Sequence, residues 1–279
     1  MHTAAPSPDA AASRPGVSAV VAVARGQLER RRRALAAWSL ALAALSVLYT
    51  SFWPAFDDNA LDAMIENLPS EMVEVFGYNS IGTPAGWLTT TVFGLIGPLL
   101  LSAFAIALGA GSVAGDEKEG VLAFELAQPI PRHACAIGRL VAGVAQVGVV
   151  IAITVIATMA AARIVGMDIG SRQLLGAGVA LFTFVVPWLA LSWLIAIASG
   201  RRGESIGVAT GVAVLSYALH VLEPVTGYSW MGRVSPFHWY VENEPVIDGV
   251  DRGMAIAATG GTALAAIVGC WLFARRDLT

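Results

Sequence analysis

Residues 173–200 read QLLGAGVALFTFVVPWLALSWLIAIASG and contain no Asp, Glu, Lys or Arg. A transmembrane helix needs about 20 mostly apolar residues to cross the hydrocarbon core of a bilayer. Five further stretches of the chain are equally uncharged and about long enough, namely residues 34–53, 87–115, 140–162, 205–222 and 253–274. The sequence therefore predicts an all-α integral membrane protein with six transmembrane helices.

The composition of the whole chain agrees with this prediction. The 279 residues are 56% hydrophobic and 13% charged, whereas a soluble domain carries roughly 25% charged residues. The mean hydropathy is +0.68. The net charge of -3 leaves no basic surface for a nucleic acid. The two cysteines, Cys135 and Cys270, are too few for a disulfide framework. These values exclude a soluble globular protein, a disordered chain and a nucleic-acid-binding module.

The distribution of basic residues predicts the orientation of the chain, because cytoplasmic loops carry an excess of Lys and Arg. With six spans, thirteen of the 17 basic residues fall on the side of the two chain ends. The other side has four, which are Arg163, Arg172, Arg233 and Arg252. Both termini are therefore expected in the cytoplasm.

Four segments outside the spans have a distinct composition. Residues 1–17 are rich in Ala, Ser and Pro and predict a mobile tail. Residues 18–33 predict a basic amphipathic elbow helix among anionic lipid headgroups. In the first outer loop, residues 59–76 alternate acidic and apolar groups at helical spacing. This outer helix would be either a structural cap or a gate over a substrate exit. Residues 275–279 form a cytoplasmic tail.

The uncharged spans argue against a proton-coupled transporter, which places ionisable side chains at membrane depth. Gln146 is the least expected residue in lipid, so it should face another helix or a cavity. Gly207 and Gly211 form a G-x-x-x-G pair, which permits packing within the chain or in a dimer. His220 lies three residues before Glu223, as a metal-binding pair can. One such pair is weak, so an interfacial histidine and no metal site are expected.

The chain also lacks the motifs of an enzyme. Ser229 follows Gly227 by two residues but lacks the second glycine of a nucleophile elbow. A P-loop needs G-x-x-x-x-G-K-[ST], and the single lysine, Lys118, lies between Glu117 and Glu119. No catalytic residue is therefore expected, and the chain cannot bind ATP through a P-loop.

The segment between the second and third spans is the most informative. Residues 115–132 read GDEKEGVLAFELAQPIPR. Acidic residues precede a short apolar helix at 121–127, which Pro129 and Pro131 end. A short helix with charges at both ends suits docking into a groove of a soluble partner. The alternative is an ordinary interfacial loop.

These residues resemble the ABC-2 type permease family, the membrane subunits of ATP-binding-cassette exporters. Members show G-E-x-x-x-G-T-[LI]-x-x-L-L-x-x-P-[VI]-x-R-x-x-x-x-x-G-K after the second span. The chain matches it at Gly115, Asp116, Glu119, Gly120, Leu122, Leu126, Pro129, Ile130, Arg132, Gly138 and Arg139. Val121 replaces the usual threonine and Arg139 the usual lysine. Residues 235–240, SPFHWY, with Asp248-Gly249 after them, and the ending FARRDL at 273–278 also resemble family motifs.

The resemblance implies a single six-helix domain over residues 34–274, with a coupling loop at 115–139 and an outer re-entrant segment at about 223–252. Two such permeases would pair, as a homodimer or with a related chain, through the first and fifth spans. Gly207 and Gly211 would pack there. Two separate ATPase subunits would hold ATP and Mg, and this chain would hold no cofactor.

The resemblance also implies roles for particular residues. Coupling to the ATPase would fall to Asp116, Glu117, Glu119, Gly120, Leu122, Leu126, Pro129 and Arg132. The outer gate or exit would be formed by Trp230, Pro236, Phe237, Trp239 and Tyr240. Gln146 would line a cavity.

The sequence thus predicts a permease subunit of an ABC exporter in the plasma membrane of a bacterium or archaeon. Its uncharged spans indicate an apolar or amphipathic small molecule as substrate, such as a drug, an antibiotic or a lipid-like compound. One alternative is a secondary transporter or channel, which would need an ion-binding residue at membrane depth. The other is a non-transport membrane scaffold or enzyme.

Overall fold

The computed structural model describes residues 15–55, 82–115 and 131–275. Within these ranges the chain is built from helices and short connections. Six helices are long and apolar enough to cross a membrane, which confirms the predicted fold class. They are Arg32–Ala55, Pro84–Gly115, Arg132–Ile164, Ser171–Ser199, Arg202–Thr226 and Arg252–Arg275.

We number the helices in chain order. They are α1 (Pro15–Arg30), α2 (Arg32–Ser51), α3 (Pro84–Gly115), α4 (Arg132–Ile164), α5 (Ser171–Ser199), α6 (Arg202–Thr226), α7 (Trp230–Val234), α8 (Pro236–Glu242) and α9 (Arg252–Arg275). A 3-10 turn, Trp53–Ala55, follows α2, and a π-helical turn, Glu244–Asp248, joins α8 to α9.

The six long helices alternate in direction, so the bundle has two ends. At the end where α2 begins, the guanidinium of Arg31 lies against Gly111 of α3, and Arg202 of α6 lies near Gly115. At the opposite end, the indole Nε1 of Trp87 donates to the carbonyl of Tyr49, at 3.0 Å. We call the first the terminal end and the second, which carries α7 and α8, the far end.

Helix α5 is the centre of the bundle. It packs against α3, α4, α6 and α9. Of the most apolar 18-residue stretch of α5, 67% is buried inside the protein. The buried share of the most apolar stretch is 22% for α2, 28% for α6 and 17% for α9. These three helices therefore present wide apolar faces to lipid or to another protein.

Glycines bring neighbouring helices into backbone contact. A Cβ added to Gly109 of α3 would lie 2.5 Å from the carbonyl oxygen of Leu189 and 2.8 Å from the amide nitrogen of Trp193, both in α5. A Cβ added to Gly138 of α4 would lie 2.9 Å from the carbonyl oxygen of Val20 in α1. Small residues permit such close approach, which strengthens packing where lipid removes the hydrophobic driving force.

Helix α3 is irregular at two places. Residues Thr89–Ile96 and Gly111–Gly115 are π-helical, and the α-helical part Gly97–Ala110 lies between them. The π-helix is rare, and it occurs often at functional sites. The second π-helical segment is the last part of α3 before residues 116–130.

The helix bounds differ from the sequence prediction chiefly around α1 and at the start of α4. Helix α1 ends at Arg30 and α2 begins at Arg32, so a break lies inside the predicted elbow at 18–33. Helix α4 begins at Arg132, so residues 132–139 of the predicted loop 115–139 form the start of a helix. The prediction counted only uncharged residues, whereas a transmembrane helix can continue through arginines at the headgroup level. Helix α1 begins at Pro15, so residues 15–17 of the predicted mobile tail are helical, and Arg275 of the predicted cytoplasmic tail is the last residue of α9. Residues 1–14, the outer helix at 59–76 and residues 276–279 lie outside the described part of the chain.

Candidate functional site

A cavity of about 540 Å³ lies between α5, α6 and α9. Its volume falls within the range of roughly 300–1,000 Å³ that is usual for small-molecule sites. The described residues that line it include no charged side chain. The two hydroxyls in the lining, on Thr183 and Ser216, are both engaged in hydrogen bonds within the protein. The cavity is open on one side, where the lining residues Leu215 and Leu264 are exposed, and its surface is apolar.

The room for the cavity comes from small residues on α9. Ala257, Ala258, Gly261 and Ala265 face it where larger residues would fill it. On the opposite wall, Pro187 lies inside α5. Proline has no backbone N–H, so one carbonyl of the preceding turn lacks its usual helical partner.

Helix α8 closes the far end of the cavity and is fixed to α6 through two serines. The side chain of Ser235 caps α8, where its oxygen accepts from the amide of His238 at 3.1 Å. The same hydroxyl donates to the carbonyl of Ser216 in α6, at 2.7 Å. The amide of Phe237 donates to the Ser216 hydroxyl, at 3.3 Å. Both serines are buried.

An aromatic cluster joins α8 to α5 and α3. The ring centroids of Phe237 and Tyr240 lie 4.7 and 4.8 Å from that of Phe184 in α5. The hydroxyl of Tyr240 donates to the carbonyl of Phe93 in α3, at 2.7 Å. Burial raises the pKa of Tyr240 well above its usual value, so the hydroxyl keeps the proton that it donates. Helix α8 is thus held by three of the long helices.

The structure brings together four of the five residues predicted at the outer gate. Pro236 and Trp239 line the cavity, and Phe237 and Tyr240 are buried beside it. Trp230, on α7, is 54% exposed and is not part of the lining. Sequence position alone could not separate Trp230 from the others, because all five lie within one short segment.

Arginines surround the end of α3 at the terminal end of the bundle. Arg139 of α4 is 1% exposed, and its Nη1 donates to the carbonyl of Ser112. A Cβ added to Gly111 would lie 3.0 Å from Nη1 of Arg31. Cations are favourable near the carbonyls at a helix C-terminus. The sequence analysis treated Arg139 only as a motif position, and nothing in the local pattern indicated its burial.

Seven of the predicted coupling residues lie outside the described residues, and only Arg132 lies within them. These seven are Asp116, Glu117, Glu119, Gly120, Leu122, Leu126 and Pro129. Arg132 is exposed at the first position of α4. Their role in coupling stays a prediction.

Two serines fasten α6 to α5 and α3 nearer the terminal end. The hydroxyl of Ser192 in α5 donates to the carbonyl of Ile106 in α3, at 2.8 Å. The hydroxyl of Ser205 in α6 donates to the carbonyl of Ser192, at 2.5 Å. Because α8 is also fixed to α6, the cavity wall formed by α6 is anchored at both ends.

The remaining predicted site residues lie away from the cavity. Gln146 is 2% exposed, and its Nε2 donates to the carbonyl of Ala142 one turn back, at 3.2 Å. It does not line the cavity. Gly207 and Gly211 are exposed, and a Cβ added to either would meet no atom within 4 Å. They are therefore not used for packing among the described residues, and a dimer contact there stays a prediction.

The described residues thus form six long apolar helices, with an apolar cavity between three of them. The chain matches the family model described as ABC-2 family transporter protein over residues 21–278. This match covers nearly the whole chain, so the chain belongs to the ABC-2 family, which confirms the resemblance seen in the motifs. It is therefore a membrane subunit of an ABC transporter, a class that works with ATP-binding subunits. No curated protein was found to match the chain.

Proposed function

We propose that the chain is the permease subunit of an exporter that moves an apolar or amphipathic small molecule. The observation that carries the substrate class is the cavity between α5, α6 and α9, with its volume of about 540 Å³ and its apolar lining. A charged substrate would lose its hydration there without gaining a partner, which costs several kcal/mol or more. An apolar group pays no such penalty.

The energy would come from ATP hydrolysed on two separate subunits, which would also bind Mg. Two features support this assignment. The sequence has no P-loop, and the six uncharged stretches contain no carboxylate that could carry a proton. The chain itself would then have no catalytic activity, and its complex would be an ATP-driven translocase.

The excess of basic residues near the chain ends supports a cytoplasmic location for the terminal end. Residues 116–130 connect α3 to α4 at that end, where a soluble ATPase could reach them. Movement of this loop would act directly on the π-helical end of α3 and on Arg139. The far end, with α7 and α8, would then face the outside and form the exit.

A second permease would cover the apolar faces of α2 and α6. In both helices, less than a third of the most apolar stretch is buried. Gly207 and Gly211 lie on the open surface of α6, where a partner helix could approach closely.

The cavity hypothesis predicts a large effect from a substitution that fills it. Ala258→Trp is expected to lower ATP-driven transport at least about tenfold, because the indole would occupy the space between α5, α6 and α9. The measurement is uptake of a lipophilic fluorescent dye into proteoliposomes that contain the permease and its ATPase.

Ala263→Trp is the matched control, since Ala263 lies exposed on the same helix and is not part of the cavity lining. It should transport at the wild-type rate. Equal transport by Ala258→Trp and wild type, with both variants folded, would contradict a substrate path through this cavity.

The coupling role of the loop can be tested separately. Glu119→Lys and Gly120→Trp are expected to leave the permease folded but to lose most of the ATP-dependent dye uptake, because the loop would no longer fit the ATPase. Hydrolysis and uptake should be measured on the same vesicles. Arg163→Glu, a charge reversal at the far end, serves as the control. Normal uptake with residues 116–130 scrambled would refute the assignment.

A further inference from the structure

Two histidines meet at the far end of the bundle. His220 of α6 and His238 of α8 direct the same ring nitrogen at each other, with 3.5 Å between the two Nδ1 atoms. His220 is 8% exposed. On the other side of the His238 ring, Nε2 lies 2.9 Å from Oε2 of Glu242. The three side chains form a line from the interior of the bundle to the surface.

The spacing of the two nitrogens fits a shared metal ion better than a direct hydrogen bond. Hydrogen bonds from N–H donors cluster at roughly 2.7–3.2 Å, so 3.5 Å is at the long limit. Histidine nitrogens bind Zn²⁺ at about 2.0–2.1 Å, and the tetrahedral angle then places two of them about 3.4 Å apart. The observed separation is close to this value without any movement of the helices.

Glu242 supplies the outer contact that metal-binding histidines usually have. Such a histidine donates its second ring N–H to a carboxylate, which fixes the tautomer and leaves the other nitrogen free to bind the metal. Here Nε2 of His238 lies against the carboxylate of Glu242, and in the neutral tautomer that donates to this carboxylate Nδ1 directs its lone pair at His220.

The His238 ring packs directly against the backbone of Gly232. A Cβ added to Gly232 of α7 would lie 2.7 Å from its Nε2 and 2.8 Å from its Cδ2. Only glycine at position 232 leaves room for the ring. Close packing on this side and the carboxylate of Glu242 limit the movement of the ring.

We propose that His220 and His238 bind a divalent transition-metal ion such as Zn²⁺, with water in the remaining positions. The part of the chain that the structure describes has no group of three or more His, Cys, Asp or Glu side chains that could hold a metal ion. The site therefore has two protein ligands. It suits reversible binding of an ion that enters from solution, whereas a structural zinc site has four protein ligands. The sequence prediction of no metal site considered Glu223 as the partner of His220, whereas the histidine that His220 meets lies 18 residues away on another helix.

A bound ion would join α6 to α8. Helix α8 carries Pro236 and Trp239, which line the far end of the cavity. If that end is the exit, the ion would hold the exit closed and slow transport. This consequence depends on the proposed function, but the binding of the ion does not.

The binding test uses the full-length chain in detergent, purified without a polyhistidine tag and with His2 replaced by Gln. Cu²⁺ serves as the probe, because its electron paramagnetic resonance spectrum shows how many nitrogens are bound. Wild type should show one saturable site with two nitrogens, and Zn²⁺ should displace the Cu²⁺. His220→Gln and His238→Gln should each lose that signal. His133→Gln is the matched control, since His133 lies exposed at the start of α4.

Glu242→Gln provides a variant that cannot unfold the protein, since the Glu242 side chain is 70% exposed. Loss of the carboxylate that contacts Nε2 of His238 should weaken binding about 10–100-fold. The site is refuted if wild type shows no saturable binding, or if both histidine variants keep the two-nitrogen spectrum. In that case the two rings form only a hydrogen-bonded pair.

The transport test is read independently of the binding test. Zn²⁺ at saturating concentration should slow dye uptake by wild type and leave uptake by His238→Gln unchanged. Binding without inhibition would refute closure of the exit while leaving the metal site intact. Absence of uptake in every variant, with binding preserved, would instead refute the proposed function.

Discussion

Gly109→Ala is expected to destabilise the protein by about 1–3 kcal/mol, the usual cost of overpacking a well-packed interior. The added methyl would lie 2.5 Å from the carbonyl oxygen of Leu189 and 2.8 Å from the amide nitrogen of Trp193. Both atoms belong to the backbone of α5, so neither can rotate away. Helices α3 and α5 would have to separate along the centre of the bundle.

The effect can be measured as the midpoint of thermal unfolding in a single detergent, followed by tryptophan fluorescence. Gly260→Ala is the matched control, because a Cβ at Gly260 meets no atom within 4 Å. Alanine is favoured over glycine inside a helix by up to about 1 kcal/mol, so the control should be neutral or slightly more stable. A midpoint for Gly109→Ala equal to that of the control would show that α3 and α5 are farther apart than described.

Arg139→Ala is expected to cost at least about 2 kcal/mol, because a buried hydrogen bond from a charged donor contributes roughly 1.5–3 kcal/mol and the packed alkyl stem is lost as well. Arg139 is 1% exposed, and it donates to the carbonyl of Ser112 in the π-helical end of α3. Arg139→Lys should fall between wild type and Ala, since lysine keeps the charge but not the planar fork of donors.

The control for this series is Arg163→Ala on the same helix. Arg163 is exposed, and its Nη2 donates to the Ser171 hydroxyl at 3.3 Å, so the free energy of unfolding should change by no more than about 0.5 kcal/mol.

Transport per ATP hydrolysed separates a structural role of Arg139 from a role in coupling. If Arg139 links the loop to α3, Arg139→Lys should lower this ratio even where its unfolding midpoint is near that of wild type. An unchanged ratio would leave Arg139 with a structural role alone.

Hydropathy and charge were sufficient to predict the six long helices. Each contains a run that is long, apolar and free of charge, and such a run has few alternatives in a membrane. The bounds were less predictable. Helix α4 begins at Arg132, directly after Pro131, and it includes Arg139, which is buried inside the protein. A criterion that counts only uncharged residues therefore underestimated its length.

The candidate site could be predicted only where its residues are adjacent in the chain. Pro236 and Trp239 belong to one motif, and both line the cavity. The cavity itself depends on how α5, α6 and α9 pack, which is set by contacts between distant residues. The pairing of His220 with His238 is of the same kind, because it depends on how α8 folds back onto α6.

The central position of α5 has a consequence for how this chain can vary. A side chain of α5 meets neighbours on most sides, so its volume and shape are constrained, whereas only 17% of the most apolar stretch of α9 is fully buried. Where α9 faces neither the cavity nor another helix, lipid accepts almost any apolar side chain. A library of random variants should therefore keep α5 nearly fixed, while the lipid-facing positions of α9 exchange Ala, Ile, Leu and Val freely.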